Sequence, residues 1–320
     1  MDVNGSTVDD GSVGAIFCLL SAAGFGLMAV FATLAYGEGV SVQTLLVGRF
    51  GLAAAVLVCL CAATGAFRGL SRRTVVTGLA MGGIGYSAQA GLYLAAVARG
   101  DASQAALVFS IYPVTVMAAA ILIGREQVST RRLVALVLAL GGATLVLGGA
   151  GGAGFDPVSA ALSLGSAAVY TCYILVGDRV VGDVPPIPLT AFICLGGAIT
   201  WSVLGAATGG VDLAVSLTGW TWIGAIVLVS TVGAILLFFA GLALVGPGAA
   251  ALLSAVEPVV TVAGVALVFH ESLTGLQALG GVLVLAAVVV LQSRSRFTAS
   301  QPGEPVTVTP VTPDRGLARC

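Results

Sequence analysis

Residues 105–126 read AALVFSIYPVTVMAAAILIGRE, and residues 250–271 read AALLSAVEPVVTVAGVALVFHE. The two stretches align when the chain is shifted by 145 residues. That shift pairs Pro113 with Pro258, Glu126 with Glu271, and Ser21 with Ser166. Proline and glutamate are scarce in apolar runs, so their matches indicate a duplicated unit rather than chance pairing of alanines.

The composition shows what surrounds this repeated unit. Of 320 residues, 58% are hydrophobic and 8% are charged, and the mean hydropathy is +1.09. A surface that faces water carries charge on roughly a quarter to a third of its residues. The exposed surface of this protein must therefore face lipid.

Apolar segments of membrane-spanning length recur along the whole chain. A bilayer core of about 30 Å takes about 20 residues of helix. Ten segments meet this length: 13–36, 42–63, 75–98, 102–124, 133–150, 158–177, 188–207, 220–243, 248–269 and 276–292. They are too long for barrel strands and lack the alternating pattern of such strands. We therefore predict an all-α integral membrane protein with ten transmembrane helices.

The repeat predicts how these helices are arranged. Five spans per unit is an odd number, so the second unit enters the membrane upside down and the two units form inverted repeats. We assign residues 13–150 and 158–292 to the two five-helix repeats. Residues 1–12 form a cytoplasmic segment, and residues 293–320 are predicted to be a disordered cytoplasmic tail.

Arginine residues indicate the orientation. With both termini in the cytoplasm, a single arginine, Arg99, lies outside, and Arg49 lies within a span. The other eleven lie inside: Arg68, Arg72, Arg73, Arg125, Arg131, Arg132, Arg179, Arg294, Arg296, Arg315 and Arg319. The positive-inside rule favours this orientation, and we predict a multi-pass protein of the plasma membrane.

The motifs resemble those of the ten-helix EamA family in the drug/metabolite transporter superfamily. The similarity covers about residues 13–292 and is most specific at Tyr112–Pro113 with Ile123–Glu126, and at Glu257–Pro258 with Phe269–Glu271. His270 departs from the family pattern, in which a glycine usually precedes the glutamate. The resemblance implies a secondary carrier, often an exporter of amino acids, metabolites or drugs. It also implies a central cavity lined by spans one, three, four, six, eight and nine.

Two prolines and one acid are candidate site residues. Pro113 and Pro258 each remove a backbone donor at matching positions, which predicts paired helix breaks near a midplane site or bends that only serve packing. Glu257 is the only carboxylate deep in a predicted span, so it must face a cavity, find a partner or be protonated. Ser254 and Thr261 share its helix face. We expect Glu257 to take up a transported proton or to bind the cationic part of a substrate, unless it serves a structural hydrogen bond.

Arg49 and the tyrosines complete the candidate set. Arg49 lies in the second span, where it either binds substrate, snorkels to headgroups or carbonyls, or pairs with Glu257. Two stripes at helical spacing either bind an organic solute or join helices and form an interfacial belt. They are Tyr86, Gln89 and Tyr93 in the third span, and Ser163, Ser166, Tyr170 and Tyr173 in the sixth. Tyr112, before Pro113, is the counterpart of Glu257.

These features favour a secondary transporter that exports small solutes by alternating access. Its predicted partners are a small-molecule substrate, the bilayer and a coupling proton, and we expect no cofactor, metal or catalytic residues. The glycine-rich Gly148–Gly154 has no following lysine, so it is not a nucleotide site. Two alternatives remain: a non-transporting membrane sensor or scaffold, and an intramembrane lipid-modifying enzyme. The enzyme lacks support, since the chain has one histidine and one deep acid.

Overall fold

The structure is a computed structural model and describes residues 6–124, 128–149, 156–180, 185–254, 256–270 and 273–292. These residues form helices and short connections, with no strand among them. Three sequence predictions fall outside them: the tail 293–320, the paired Glu126 and Glu271, and most of the loop Gly148–Gly154.

The first half of the chain contains seven α-helices. They are α1 (Ser6–Gly37), α2 (Val42–Thr64), α3 (Arg72–Ala80), α4 (Ser87–Arg99), α5 (Ala102–Phe109), α6 (Tyr112–Leu122) and α7 (Thr130–Gly149). A first π segment, Met81–Tyr86, joins α3 to α4. Ser41, Ser71 and Asp101 cap α2, α3 and α5 by accepting hydrogen bonds from backbone N–H groups three residues ahead.

The second half contains six. They are α8 (Pro157–Val180), α9 (Pro186–Thr208), α10 (Leu217–Val227), α11 (Ala234–Ser254), α12 (Glu257–Phe269) and α13 (Gly275–Gln292). A second π segment, Leu228–Gly233, joins α10 to α11. The two π segments lie in the predicted third and eighth spans, at nearly matching positions of the two halves.

Six described segments are long and apolar enough to cross a membrane: Gly11–Gly37, Val42–Thr64, Ala102–Leu122, Pro157–Gly177, Pro186–Thr208 and Leu217–Val245. Leu133–Gly142, Glu257–Phe269 and Gly275–Ala287 are shorter apolar helices. The all-helical membrane architecture is confirmed, and the number of ten spans stays a prediction.

One predicted boundary is wrong. The sequence predicted an interruption between residues 243 and 248, but α11 continues from Ala234 to Ser254. Pro247 lies inside this helix and has no N–H, so the helix continues past it without one backbone hydrogen bond. The chain leaves the helix near residue 256 instead, and α12 begins at Glu257.

Packing between the halves is reciprocal. α2 packs on α9 and α7 packs on α13, so these helices meet their own counterparts. α1, the first helix of the first half, packs on α11 and α12. α8, the first of the second half, packs on α4, α5 and α6. The space around α1, α4, α8 and α12 therefore receives side chains from both halves.

Candidate functional site

Glu257 lies at the start of a helix, not in the middle of one. Val256 forms a turn before α12, and Pro258 takes the second position of that helix, where its missing N–H is not needed. The helix dipole favours a carboxylate at this end. The Glu257 side chain is half-buried and forms no hydrogen bond or ion pair within the described part of the chain. The acid is therefore available to pair with a proton or with a cationic group of a solute.

Three phenol groups lie in the neighbourhood of this acid. Tyr93, Tyr112 and Tyr170 all lie close enough to Glu257 to interact with it electrostatically. The hydroxyls of these three tyrosines and of Tyr173 have no hydrogen-bond partner among the described residues. Glu257, the four tyrosines and Phe109 thus form one cluster, and we call the space around this cluster the aromatic chamber.

The rings of the chamber form a continuous chain. The centroid of Phe109 lies 5.1 Å from Tyr93, 5.1 Å from Tyr112 and 5.8 Å from Tyr170. Tyr170 lies 4.9 Å from Tyr112 and stacks on Tyr173 at 5.8 Å with an interplanar angle of 12°. Such spacings are those of attractive aromatic pairs.

Hydrogen bonds fix one wall of the chamber. Gln89 Nε2 donates to Ser166 Oγ at 3.2 Å, and that hydroxyl donates to the Gln89 carbonyl at 3.0 Å. Ser163, one turn earlier on α8, is fully buried and its hydroxyl has no partner among the described residues. The polar stripes of the third and sixth predicted spans therefore face each other, and Gln89 joins helices.

Arg49 lies deep in the protein, with 2% of its surface exposed. Its Nε donates to Thr231 Oγ1 at 3.2 Å and its Nη2 donates to Tyr86 Oη at 3.1 Å. The guanidinium also lies 5.4 Å from the Phe50 ring centroid and 5.8 Å from that of Tyr86. The predictions that Arg49 snorkels to headgroups or pairs with Glu257 are wrong, because two hydroxyls and two rings already hold the cation inside.

These bonds connect both π segments. Tyr86 ends the first π segment and Thr231 lies in the second. Thr231 also donates to the carbonyl of Ile226 at 3.0 Å, which is a bond across five residues. π segments within α-helices occur frequently at functional sites. Arg49 thus holds together the irregular parts of the predicted third and eighth spans.

Each of the two paired prolines follows a helix break. Ser110 and Ile111 form a turn between α5 and α6, and Pro113 is the second residue of α6. Pro258 has the same place in α12. Both prolines are thus in the first turn of a new helix, a position that costs no hydrogen bond, and do not kink a continuous one.

The structure does not bring every candidate into the chamber. Thr261 is 3% exposed, and its hydroxyl donates to the Gly26 carbonyl at 2.9 Å. Ser254 is half-buried in the last turn of α11, on the other side of the break from Glu257. The break therefore separates Ser254 from the helix face of Glu257, while Thr261 stays on α12 and packs on α1.

Sequence reasoning missed three residues of this region. Phe109 lies at the centre of the ring chain, Thr231 binds Arg49, and Tyr36 donates to the Leu94 carbonyl at 3.1 Å. The scarcity of tyrosine was a usable signal, because Tyr36 is the sixth of only six and the other five were predicted. Nothing in the local sequence marks Thr231.

Comparisons with known proteins agree with this arrangement. The sequence profile of the EamA-like transporter family matches residues 12–148 and, a second time, residues 158–292. The protein belongs to the EamA-like transporter family. Membership makes it a multi-pass membrane transporter of the drug/metabolite superfamily, with a small-molecule substrate and the bilayer as its surroundings.

The fold of this EamA-like transporter occurs in solved structures. One, described only as "Crystal structure of protein", is similar with a TM-score of 0.63 and 19% identity, over 90% of this chain and 99% of that one. At this identity the likeness concerns the fold alone. No curated protein sequence matches the chain.

Proposed function

We propose that this EamA-like transporter is a secondary exporter of small organic solutes such as amino acids, metabolites or drugs, with the aromatic chamber as its binding site. The observation that carries the proposal is the Glu257 carboxyl, which has no partner among the described residues and lies in electrostatic range of three phenols. Unpaired carboxylates in a membrane interior are costly, and they mark ion or substrate pathways. A transported proton or the cationic part of a solute would supply the missing partner.

The architecture we propose is ten spans in two inverted repeats, residues 13–150 and 158–292. The reciprocal packing of α1 on α11 and α12, and of α8 on α4, α5 and α6, supports it. A two-fold axis in the membrane plane exchanges these two contacts and maps α2 onto α9. Both termini lie in the cytoplasm of a plasma-membrane protein under this proposal.

Alternating access would use the breaks and π segments. The chain is interrupted before α6 and before α12, and it is irregular at Met81–Tyr86 and Leu228–Gly233. All four interruptions lie beside the chamber or beside Arg49. Rocking of one half against the other would change the backbone angles mainly at these places, because the remaining helical bonds stay intact.

Flux measurements test the proposal. Growth of an overexpressing strain across a panel of toxic metabolites would identify a solute, and proteoliposomes would then give its transport rate at several pH values. We expect Glu257→Gln, which keeps the shape but cannot ionise, to lower the rate at least tenfold and to abolish its pH dependence. The matched control is Glu38→Gln, because Glu38 is exposed and only accepts a hydrogen bond from Ser216 at 2.8 Å. Full-rate, pH-dependent transport by Glu257→Gln would make Glu257 a structural residue, and absence of flux by the unchanged protein would favour a sensor or scaffold.

A further inference from the structure

A cavity lies beside the aromatic chamber and opens on the outer face of the helix bundle. It has a volume of about 780 Å³ and lies between α8 and the stretch formed by α3 and the first π segment. Its lining includes Val76, Ile84, Gly85, Cys172, Tyr173 and Val176. Drug-sized ligands occupy cavities of about 300–1,000 Å³. We call this cavity the lateral crevice.

The mouth of the lateral crevice is apolar and faces outward. Val76 and Val176 are each 55% exposed, and Ile84 is 76% exposed. Such side chains on a membrane protein contact lipid tails. Under the orientation proposed above, α3 begins at the cytoplasmic side, so the crevice opens towards the inner leaflet.

The inner wall of the lateral crevice is part of the aromatic chamber. Tyr173 lines the crevice, and its ring stacks on Tyr170, which lies in electrostatic range of Glu257. The other side of Tyr173 contacts Tyr86, with ring centroids 5.9 Å apart. Tyr173 therefore belongs both to the crevice wall and to the aromatic chamber.

The first π segment contributes to both spaces. Met81, Ile84 and Gly85 line the crevice, while Tyr86 accepts a hydrogen bond from Arg49. Gly85 is required for this arrangement, because a methyl group there would lie 2.7 Å from Cδ2 of Tyr173. The first π segment therefore forms part of the crevice wall and packs directly against the Tyr173 ring.

We propose that the lateral crevice is the entry site for the apolar body of an amphipathic, cationic solute, which passes Tyr173 from the inner leaflet into the aromatic chamber. This inference rests on the proposed function, and it specifies the class of substrate and the route by which the substrate enters. The charge of the solute follows from Glu257, the only unpaired acid that the described residues place at the chamber. Its apolar body follows from the crevice lining and from the continuous ring chain beyond Tyr173.

An ordinary lipid tail is the competing occupant, and Cys172 allows the two to be distinguished. Cys172 is exposed and lines the crevice, whereas Cys18, Cys61 and Cys194 are buried. In full-length protein with Cys59→Ser and Cys320→Ser, N-phenylmaleimide modification in proteoliposomes reports on Cys172. Ethidium serves as the amphipathic cation, and its export is measured by fluorescence.

Val176→Trp fills the mouth of the crevice. Val203→Trp is the matched control on α9, where Val203 is 63% exposed and lies outside the crevice.

We expect ethidium to slow the modification of Cys172 at least threefold, and Val176→Trp to lower ethidium export about tenfold while Val203→Trp changes it less than twofold. Unprotected Cys172 together with equal export by both tryptophan variants would assign the crevice to lipid tails and overturn the proposal. If the unchanged protein exports no ethidium, the proposed transport of cationic solutes fails by itself. Protection of Cys172 then supports the crevice as a binding site, and lack of protection overturns it.

Discussion

Arg49 on α2 donates a hydrogen bond of 3.2 Å to Thr231, which lies 182 residues away in the second π segment. The same guanidinium binds Tyr86 in the first π segment. Its planar fork can serve two acceptors in different directions, which an ammonium group does less well. The two halves of the transporter are therefore joined by one buried cation.

The Arg49 bridge predicts a strong effect of a change that keeps its charge. Hydrogen bonds to charged groups contribute about 1.5–3 kcal/mol each. We expect Arg49→Lys to lower the transport rate at least tenfold, since lysine cannot hold both Tyr86 and Thr231. Thr231→Val removes one acceptor and should have a smaller effect in the same direction. Unchanged transport by Arg49→Lys would show that the bridge has no role in the cycle.

The close packing at Gly26 indicates that α1 must lie directly against the start of α12 at Glu257. A methyl group at Gly26 would lie 2.6 Å from the Glu257 carbonyl oxygen, so Gly26→Ala must push α12 away from α1. Overpacking of this kind costs about 1–3 kcal/mol. We expect a lower melting temperature in detergent and slower transport. Gly51→Ala, at a helical position with open space around it, is the control and should lower neither, since alanine is the better helix former.

Asp156 predicts a pH dependence of stability outside the membrane-spanning helices. Its carboxylate accepts a hydrogen bond of 2.8 Å from the Val158 N–H at the start of α8, and it pairs with Arg99 at 3.2 Å. The bond from Val158 lowers the pKa of Asp156, and the bonds from Arg99 act in the same direction. The contribution of Asp156 is therefore present above the ordinary pKa of aspartate, about 3.9, and is lost as pH falls through the lower folded value.

We accordingly expect Asp156→Asn to lower the melting temperature at pH 7 and the difference from the unchanged protein to shrink towards pH 3. A difference that stays constant between these two pH values would contradict the assignment. Arg99→Gln should produce a smaller decrease, because the bond from Val158 remains.

His270 predicts a site where stability can be gained. His270 caps the C-terminal end of α12 in the left-handed conformation, with φ 57°. Gly124, which follows the end of α6, has the same conformation, with φ 71°. A non-glycine residue in this conformation costs roughly 1–2 kcal/mol. We expect His270→Gly to raise the melting temperature and Gly124→Ala to lower it. Thermal unfolding in detergent measures both, and a lower melting temperature for His270→Gly would show that its side chain stabilises the helix end.

The repeat and the arginine distribution predict the topology. Reporter domains fused after Ser293 should be active only on the cytoplasmic side. Fusions in the loop between α4 and α5, near Arg99, should be active only outside. Activity after Ser293 on the outer side alone would exclude the proposed orientation, and an experimental structure with the two halves parallel would exclude the inverted repeats.

The sequence by itself determined that the protein is an all-helical membrane protein, because a chain with so few charged residues cannot cover a surface that faces water. It also determined the family, through a repeat marked by Pro113 and Pro258. It also marked Glu257 and the tyrosines, because polar groups in apolar segments are visible without coordinates. Only the tertiary structure decided which partners these groups have. Arg49 forms hydrogen bonds with Tyr86 and Thr231 and not with Glu257, and Thr261 donates its hydroxyl to the Gly26 carbonyl. Partners of this kind come from helices far apart in the chain, so their choice depends on how the helices pack and on where each helix breaks, which spacing along one helix does not encode.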